Sequence, residues 1–354
     1  MSIGRKEIMD SRERVRAALS GEHPDHVPFA LGFFPQSLYG APDADELFGT
    51  DVRFVEFDPP PGQQDFTAYL EGLPANVHVG SPGQLRTYWE WGYHPETAAE
   101  HPLAAARSAG DLVEGLLPDL THPARYAQVA AQMRSLQSRG LAVAAPPPHL
   151  GGELFESAYR LRGFERFMRD LLENPSLVGY LLDQLTGMLV HNTLVLAEAG
   201  VDVLLLDDDV ASCGGLLMSP ATWRAYFKPR LSRVIDAARE TAPEILVFYH
   251  SDGDFTRLIP DLTQIGVDVI NPLQPDCMNA RALRESLGPR PAFWGTVGSA
   301  RLWDEGSPEM IRAEVRERLT TLGAAGLLLA PAYDIDFAPR ENVAAFVEAA
   351  RAWG

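Results

Sequence analysis

The chain has 354 residues, of which 46% are hydrophobic and 22% charged, an ordinary globular composition that excludes a disordered or low-complexity protein. Acidic residues outnumber basic ones by 48 to 30, for a formal charge of −18, so the surface repels nucleic-acid backbones and anionic lipid headgroups and neither is an expected partner. The longest apolar stretches, such as 185–196, are broken by His191 and Asn192, residues 1–6 run into charge without an apolar signal segment, and Cys213 and Cys277 cannot form a disulfide framework, which together predict a cytoplasmic protein with no membrane span.

Asp10-Ser11-Arg12-Glu13 has the spacing of a capping box, in which an N-cap Asp and a Glu three residues on satisfy each other's orphan amides. Val15, Ala18 and Leu19 follow as an apolar stripe and Gly21 as a stop, so a short helix and a loop occupy an N-terminal segment, 1–26. Val27-Pro28-Phe29-Ala30-Leu31 is the first expected strand, confined by Pro28 to a strand start or an edge. Residues 35–100 carry scattered Pro and Gly, and Tyr88-Trp89-Glu90-Trp91-Gly92-Tyr93 alternates as in a hairpin. Leu141-Ala142-Val143-Ala144-Ala145, ended by three prolines, has the pattern of a buried parallel strand. Two helices and a longer one are expected from there to residue 199.

From residue 202 a unit recurs: a short apolar run, a polar loop, then an amphipathic helix. The runs are 202–206, 245–249, 268–270, 292–294 and 327–330, with helical patterns over 219–240, 254–264, 279–287, 308–321 and 340–352. Strict strand-helix alternation implies a parallel sheet. No G-x-G-x-x-G or P-loop follows an early strand, and polar residues follow several different strands instead. That arrangement suits a barrel mouth, so the expected fold is α/β, a (β/α)8 TIM barrel formed by residues 1–354 as a single domain with an N-terminal helical and hairpin extension.

Three acids, Asp207-Asp208-Asp209, close the apolar run at 202–206. Alternate residues of an extended chain share a side, so Asp207 and Asp209 point together and Asp208 away. This is either a carboxylate pair for chemistry or a solvated loop with one acid capping a helix. His250 and Asp252, in Tyr249-His250-Ser251-Asp252-Gly253-Asp254, also share a side at a strand end. An imidazole and a carboxylate so placed serve as a proton relay or as two ligands of a divalent metal. Asn271 and Gln274, after the next strand, offer amides to a substrate oxygen or form a turn on Pro272, and Tyr333, after the last strand, binds a ligand or packs. Cys213 and Cys277 lie in loops on the same side; a zinc site with His250 is conceivable there, but their spacing matches no standard site and they are expected to be free thiols.

In order along the chain, Ser11-Arg12-Glu13-Arg14-Val15, Asp25-His26-Val27-Pro28, Leu216-Leu217-Met218-Ser219-Pro220, Phe227-Lys228-Pro229-Arg230, His250-Ser251-Asp252-Gly253 and Pro339-Arg340-Glu341-Asn342-Val343 resemble the uroporphyrinogen decarboxylase superfamily. The resemblance covers nearly the whole chain and implies a (β/α)8 barrel enzyme, either a decarboxylase or a cobalamin-linked or zinc-dependent methyltransferase. The decarboxylases carry an Arg-Gln-Ala-Gly-Arg segment that grips the substrate's carboxylates. Here the corresponding region is Phe29-Ala30-Leu31-Gly32-Phe33-Phe34-Pro35-Gln36, which makes that side of the site apolar, with Phe33 facing substrate, and leaves an octacarboxylate without counter-charge. The methyltransferases bind zinc through His-x-Cys and a later Cys. In this chain His250 matches, Asp252 replaces the first Cys, and the last position falls near Tyr333. A carboxylate can replace a thiolate on zinc but makes a harder site, better suited to oxygen-rich coordination or to other divalent ions.

The resemblance therefore implies one-carbon transfer, by a methyltransferase or demethylase acting on a small or medium-sized substrate. His250 and Asp252 would bind metal or relay protons, Asp207 and Asp209 would hold substrate, and a corrinoid protein is a candidate partner. The alternatives are metal-independent decarboxylation of a porphyrinogen or simpler acid, and a non-catalytic binding protein or corrinoid-protein partner.

Overall fold

A computed structural model describes residues 8–36, 38–41, 43–55, 57, 101, 103–112 and 120–354. The hairpin expected at 88–93 lies outside these residues. Among the described residues there are nine strands: β1 (Val52–Phe54), β2 (Ala142–Ala145), β3 (Val203–Asp207), β4 (Ala211–Ser212), β5 (Gly215–Leu216), β6 (Leu246–His250), β7 (Val269–Asn271), β8 (Ala292–Trp294) and β9 (Leu327–Leu328). Seven form one sheet in the order β1-β2-β3-β6-β7-β8-β9, every neighbouring pair parallel, while β4 and β5 make a small antiparallel hairpin.

The sheet closes on itself through the segment around Phe29. Phe29 makes a parallel bridge to Leu329, with the Ala30 amide donating to the Leu329 carbonyl and the Leu329 amide to the Pro28 carbonyl, each at 2.9 Å. On its other side, the Asp51 amide donates to the Phe29 carbonyl at 3.0 Å. Pro28 thus takes part as an acceptor, the role open to a residue without an N–H. The Phe29 amide finds the Asp51 carboxylate at 3.0 Å, and the same carboxylate accepts from Ser11 Oγ and Arg14, each at 2.7 Å. The N-terminal helix and the Phe29 segment, which the sequence pattern makes a strand over 27–31 but which forms a single bridge, are tied to the start of β1 by this one buried acid.

Strand periodicity divides the core in two. Val203, Leu205, Leu246, Phe248, Val269, Ala292, Trp294 and Leu328 pack inside the barrel, where Val15 and Leu19 of the N-terminal helix Ser11–Leu19 join them. Leu204, Leu206, Val247, Tyr249, Ile270 and Phe293 face outward into the helical layer. The alternation extends past the strands, so Asp207, His250 and Asn271 follow inward-facing Leu205, Phe248 and Val269. Their register confirms the match, with Asp207 opposite His250 and His250 opposite Asn271. Three polar side chains are thereby set side by side at the C-terminal ends of neighbouring strands, the face on which such barrels place their sites.

Helix boundaries depart from the sequence pattern in one instructive place. The apolar periodicity over 219–240 is split into Pro220–Tyr226 and Lys228–Thr241, because Pro229 lacks the amide needed to carry the ladder through. The capping box at the N-terminus forms as the spacing requires, the Glu13 amide donating to Asp10 at 2.8 Å and the Asp10 amide to Glu13 at 3.0 Å. No described helix is long and apolar enough to cross a membrane.

Candidate active site at the barrel mouth

His250 ends β6, and its ring is fixed from both sides. Nδ1 lies 2.6 Å from Oδ1 of Asn271, and the same amide donates from Nδ2 to the Trp294 carbonyl at 2.8 Å. With Asn271 committed as donor to Trp294, its oxygen must accept from the ring, so Nδ1 carries a proton and Nε2 is turned the other way, a lone pair in the neutral ring and an N–H in the charged one. Nε2 faces acids: Asp209 Oδ1 at 3.6 Å, Asp252 Oδ1 at 3.8 Å and Asp207 Oδ1 at 4.0 Å. Phe33 stacks on the imidazole with ring centroids 4.3 Å apart and planes inclined by 24°, and so covers one face.

The three consecutive aspartates separate as alternation requires. Asp207 and Asp209 turn toward His250, whereas Asp208 is buried and accepts from the first-turn amides of the helix Phe155–Arg162, Phe155 N at 2.8 Å and Glu156 N at 2.9 Å. One run of acids therefore holds both roles weighed for it, two groups at the site and one helix cap. Asp252 is positioned through its loop: its amide donates to Asp209 Oδ1 at 2.6 Å, and Gln274 donates to its Oδ1 at 2.7 Å. Gln274 Oε1 accepts from the Gly253 amide at 2.9 Å, so both amides expected at the mouth, Asn271 and Gln274, spend their bonds on His250 and Asp252 and their neighbours. The Tyr333 hydroxyl donates to Asp276 at 2.9 Å and ties the last strand's loop to the loop after β7.

Sequence reasoning missed a second tier of acids, Glu153 from the loop after β2 and Glu156 from the first turn of the helix that follows it. Glu153 brackets the backbone of Asp207: its amide donates to the Asp207 carbonyl at 2.8 Å, and its Oε2 accepts from the Asp207 amide. Its Oε1 is buried with no hydrogen-bond partner. Glu156 accepts from Arg160 at 2.9 Å and from the Asp209 amide at 3.2 Å. The available signal was Gly151-Gly152-Glu153, an acid after a glycine pair beyond a buried strand, but it lacks a spacing that would single it out.

Burial and mutual repulsion dominate the electrostatics. Burial, followed by the neighbouring acids Glu156, Asp252 and Asp207, pushes Asp209 well above the usual carboxylate range. Burial lifts Asp207 to about 6 although His250 pulls the other way, and burial with nearby Asp252 lifts Asp334 to about 6. Burial likewise raises Asp252, again against His250. For His250, burial favours the neutral ring, but Asp207, Asp252 and the Asn271 hydrogen bond outweigh it and the basicity rises. The site thus gathers more carboxylates than cations to neutralise them, a condition relieved by protons or by a bound cation.

The cysteines correct an expectation. Cys213, in the β4–β5 turn, and Cys277, in the loop after β7, are joined in a disulfide with Cα atoms 4.8 Å apart. They are not free thiols, and in this state neither offers a thiolate to a metal. The sequence separation of 64 residues hid a proximity created by two loops meeting at the mouth.

Three kinds of similarity to known proteins accompany this geometry. The family model of uroporphyrinogen decarboxylase (URO-D) matches residues 155–353. A uroporphyrinogen decarboxylase of Hordeum vulgare is 24% identical over 272 residues, covering 71% of this chain and 80% of that protein. The methylcobamide:CoM methyltransferase MtaA of Methanosarcina barkeri is 27% identical over 185 residues, covering 52% of this chain and 51% of that one. Among solved structures, a methyltransferase from Methanosarcina mazei superposes with a TM-score of 0.67 at 21% identity, covering 97% of this chain and 99% of its own, and so shares the barrel fold. The family model spans the strands that supply Asp207, Asp209, His250, Asp252 and Asn271, and the chain belongs to the uroporphyrinogen decarboxylase family.

Proposed function

We propose that the chain is a metal-dependent one-carbon transferase, a methyltransferase or demethylase acting on a small or medium-sized substrate, with Asp207, Asp209 and His250 holding a divalent ion. The carrying observation is the orientation of His250, whose ring is held by Asn271 so that Nε2 points at a set of carboxylates. The ligand atoms of Asp207, Asp209 and His250 lie within 4.8 Å of one another. Donors bound at about 2 Å to a four-coordinate ion stand roughly 3.3 Å apart, so small side-chain adjustments would suffice. The donor set fits a divalent ion of intermediate or hard character, zinc included, rather than a thiolate-selective site.

When bound, such an ion would supply Lewis acidity that lowers the pKa of a coordinated acceptor group, so that its nucleophilic anion forms near neutrality. The chain's own residues do the remainder. Asp252, held by Gln274 and by the Asp209 carboxylate, is placed to take the acceptor's proton, and Phe33 shields the imidazole from water on one side. The apolar 29–36 segment, without the arginines that a polycarboxylate requires, supports a substrate other than a porphyrinogen. The similarity to a methylcobamide-using enzyme supports a corrinoid protein as the partner in methyl transfer.

Elemental analysis of gently purified protein and of His250→Ala, coupled to corrinoid absorbance during methyl transfer, tests this reading. One stoichiometric metal lost together with activity is the expected result; full activity in His250→Ala would overturn it. A second reading, decarboxylation without metal, draws on the carboxyls around His250, since burial raises Asp207, Asp209 and Asp252 above the usual carboxylate range and so favours protonated acids at the site. Carbon dioxide release by chelator-treated protein would favour it.

A further inference from the structure

The Cys213–Cys277 bond closes a ring around the segment that carries Asp252. On one side, the Asp254 amide donates to the Ser212 carbonyl at 2.9 Å. Gly253 lies so near that a Cβ built on it would stand 2.4 Å from the Ser212 carbonyl carbon. On the other side, Gln274 accepts from the Gly253 amide at 2.9 Å and donates to Asp252 at 2.7 Å. Cys213 is the residue next to Ser212, and the Cys277 amide donates to the Gln274 carbonyl at 3.0 Å. Segment 252–254 is therefore gripped between two loops, and the disulfide links those loops directly.

We propose that Cys213–Cys277 is a thiol–disulfide exchange site whose state sets how firmly Asp252 is held beside His250. Cys213 is exposed and Cys277 partly so, which leaves the bond open to attack from solvent. In a reducing compartment an accessible bond of this kind is transient and redox-sensing rather than structural. The reductant has a definable chemistry. Asp276 precedes Cys277, Asp252 is bonded to the Gln274 side chain, and the chain carries a formal charge of −18, so anionic thiols are repelled and a small neutral dithiol is favoured. One thiolate of the dithiol attacks a protein sulfur and expels the other as thiolate. The second thiol of the reductant then displaces the mixed disulfide. Two electrons and two protons pass to the protein, which becomes a dithiol, and the reductant leaves as a cyclic disulfide. Opening the ring removes the covalent link between the two loops and leaves their grip on segment 252–254 to hydrogen bonds and to the packing of Gly253 on Ser212.

The test uses the full chain, needs neither metal nor substrate, and so stands apart from the functional proposal. Protein purified without reductant is compared, by thiol titration, intact mass and amide hydrogen exchange, with protein treated with dithiothreitol and then freed of it. The expected result is no titratable thiol before treatment and both cysteines titratable after it. Exchange at the Gly253 and Asp254 amides should quicken roughly tenfold and be restored by reoxidation. The Cys213→Ser/Cys277→Ser protein should show the faster exchange under both conditions. Reduced glutathione, an anion, should open the bond more slowly than dithiothreitol. Two titratable thiols that persist in an oxidising glutathione buffer, or exchange at 252–254 that ignores the redox state, would overturn the proposal.

Discussion

His250 and Asn271 stand opposite one another at the ends of adjacent parallel strands, and the 2.6 Å contact between Nδ1 and Oδ1 decides what the imidazole can do. Because Asn271 is itself oriented by the Trp294 carbonyl, Nδ1 is held as a donor and Nε2 is aimed at the acids. Asn271→Ala should release the ring and, under the metal reading, weaken divalent-ion affinity by about 10- to 100-fold while the fold persists. Competition against a chromophoric chelator measures this. Unchanged affinity would show that the tautomer is irrelevant to binding.

Neighbouring aspartates should behave in opposite ways. Asp208 accepts two first-turn amides of the helix Phe155–Arg162, so Asp208→Ala should cost about 1–2 kcal/mol of stability, the range of a lost N-cap, and leave metal content intact. Asp209→Asn, within reach of His250 Nε2, should remove the metal and relieve repulsion among the buried acids, leaving stability equal or higher. Thermal denaturation alongside elemental analysis separates the two effects, and a single common phenotype would argue against distinct roles.

How far the sequence revealed this arrangement depends on the length scale of each signal. The strands were legible because parallel, doubly covered strands are continuous apolar runs, and the sidedness of Asp207, Asp209, His250 and Asp252 followed from alternation alone. Asn271 was legible as a residue of the site, but its commitment to His250 depends on strand register, a long-range property. Glu153 and Glu156 were invisible for a similar reason: they reach Asp207 and Asp209 across more than 50 positions of sequence, at separations of 54 and 53. The disulfide is not legible in the sequence because its two loops follow different strands and lie 64 residues apart. Local pattern, in short, locates strand ends, while the partners of the groups they carry come from closure of the barrel.

Gly253 is the position where backbone geometry and site geometry meet. Its φ is +81°, and a Cβ would press into the Ser212 backbone rather than a yielding side chain. Gly253→Ala should therefore cost more than about 2 kcal/mol and displace Asp252 from His250. The expected signature is a lowered melting temperature together with altered titration of the His250 ring by NMR. A variant with native stability and an unaltered His250 titration would show that the hairpin does not pack on this loop.

Acid stability should report the buried network that closes the barrel. Arg14 bonds Asp25 at 2.7 Å and Asp51 at 2.7 Å, joining the N-terminal helix to the segment before β1. Burial alone would raise the Asp25 carboxyl, but the hydrogen bond and charge of Arg14 prevail and hold it at about 2, below its ordinary value of 3.8. The folded state therefore binds this proton less readily than the unfolded chain. The resulting stabilisation is complete above about pH 4 and is lost as the pH falls through about 2; its size is on the order of 2 kcal/mol. Asp25→Asn should show that deficit at pH 7, and denaturant midpoints measured downward from pH 5 should converge on those of the parent near pH 2. Curves that stay parallel over this range would mean that Asp25 is not the group whose protonation loosens the closure.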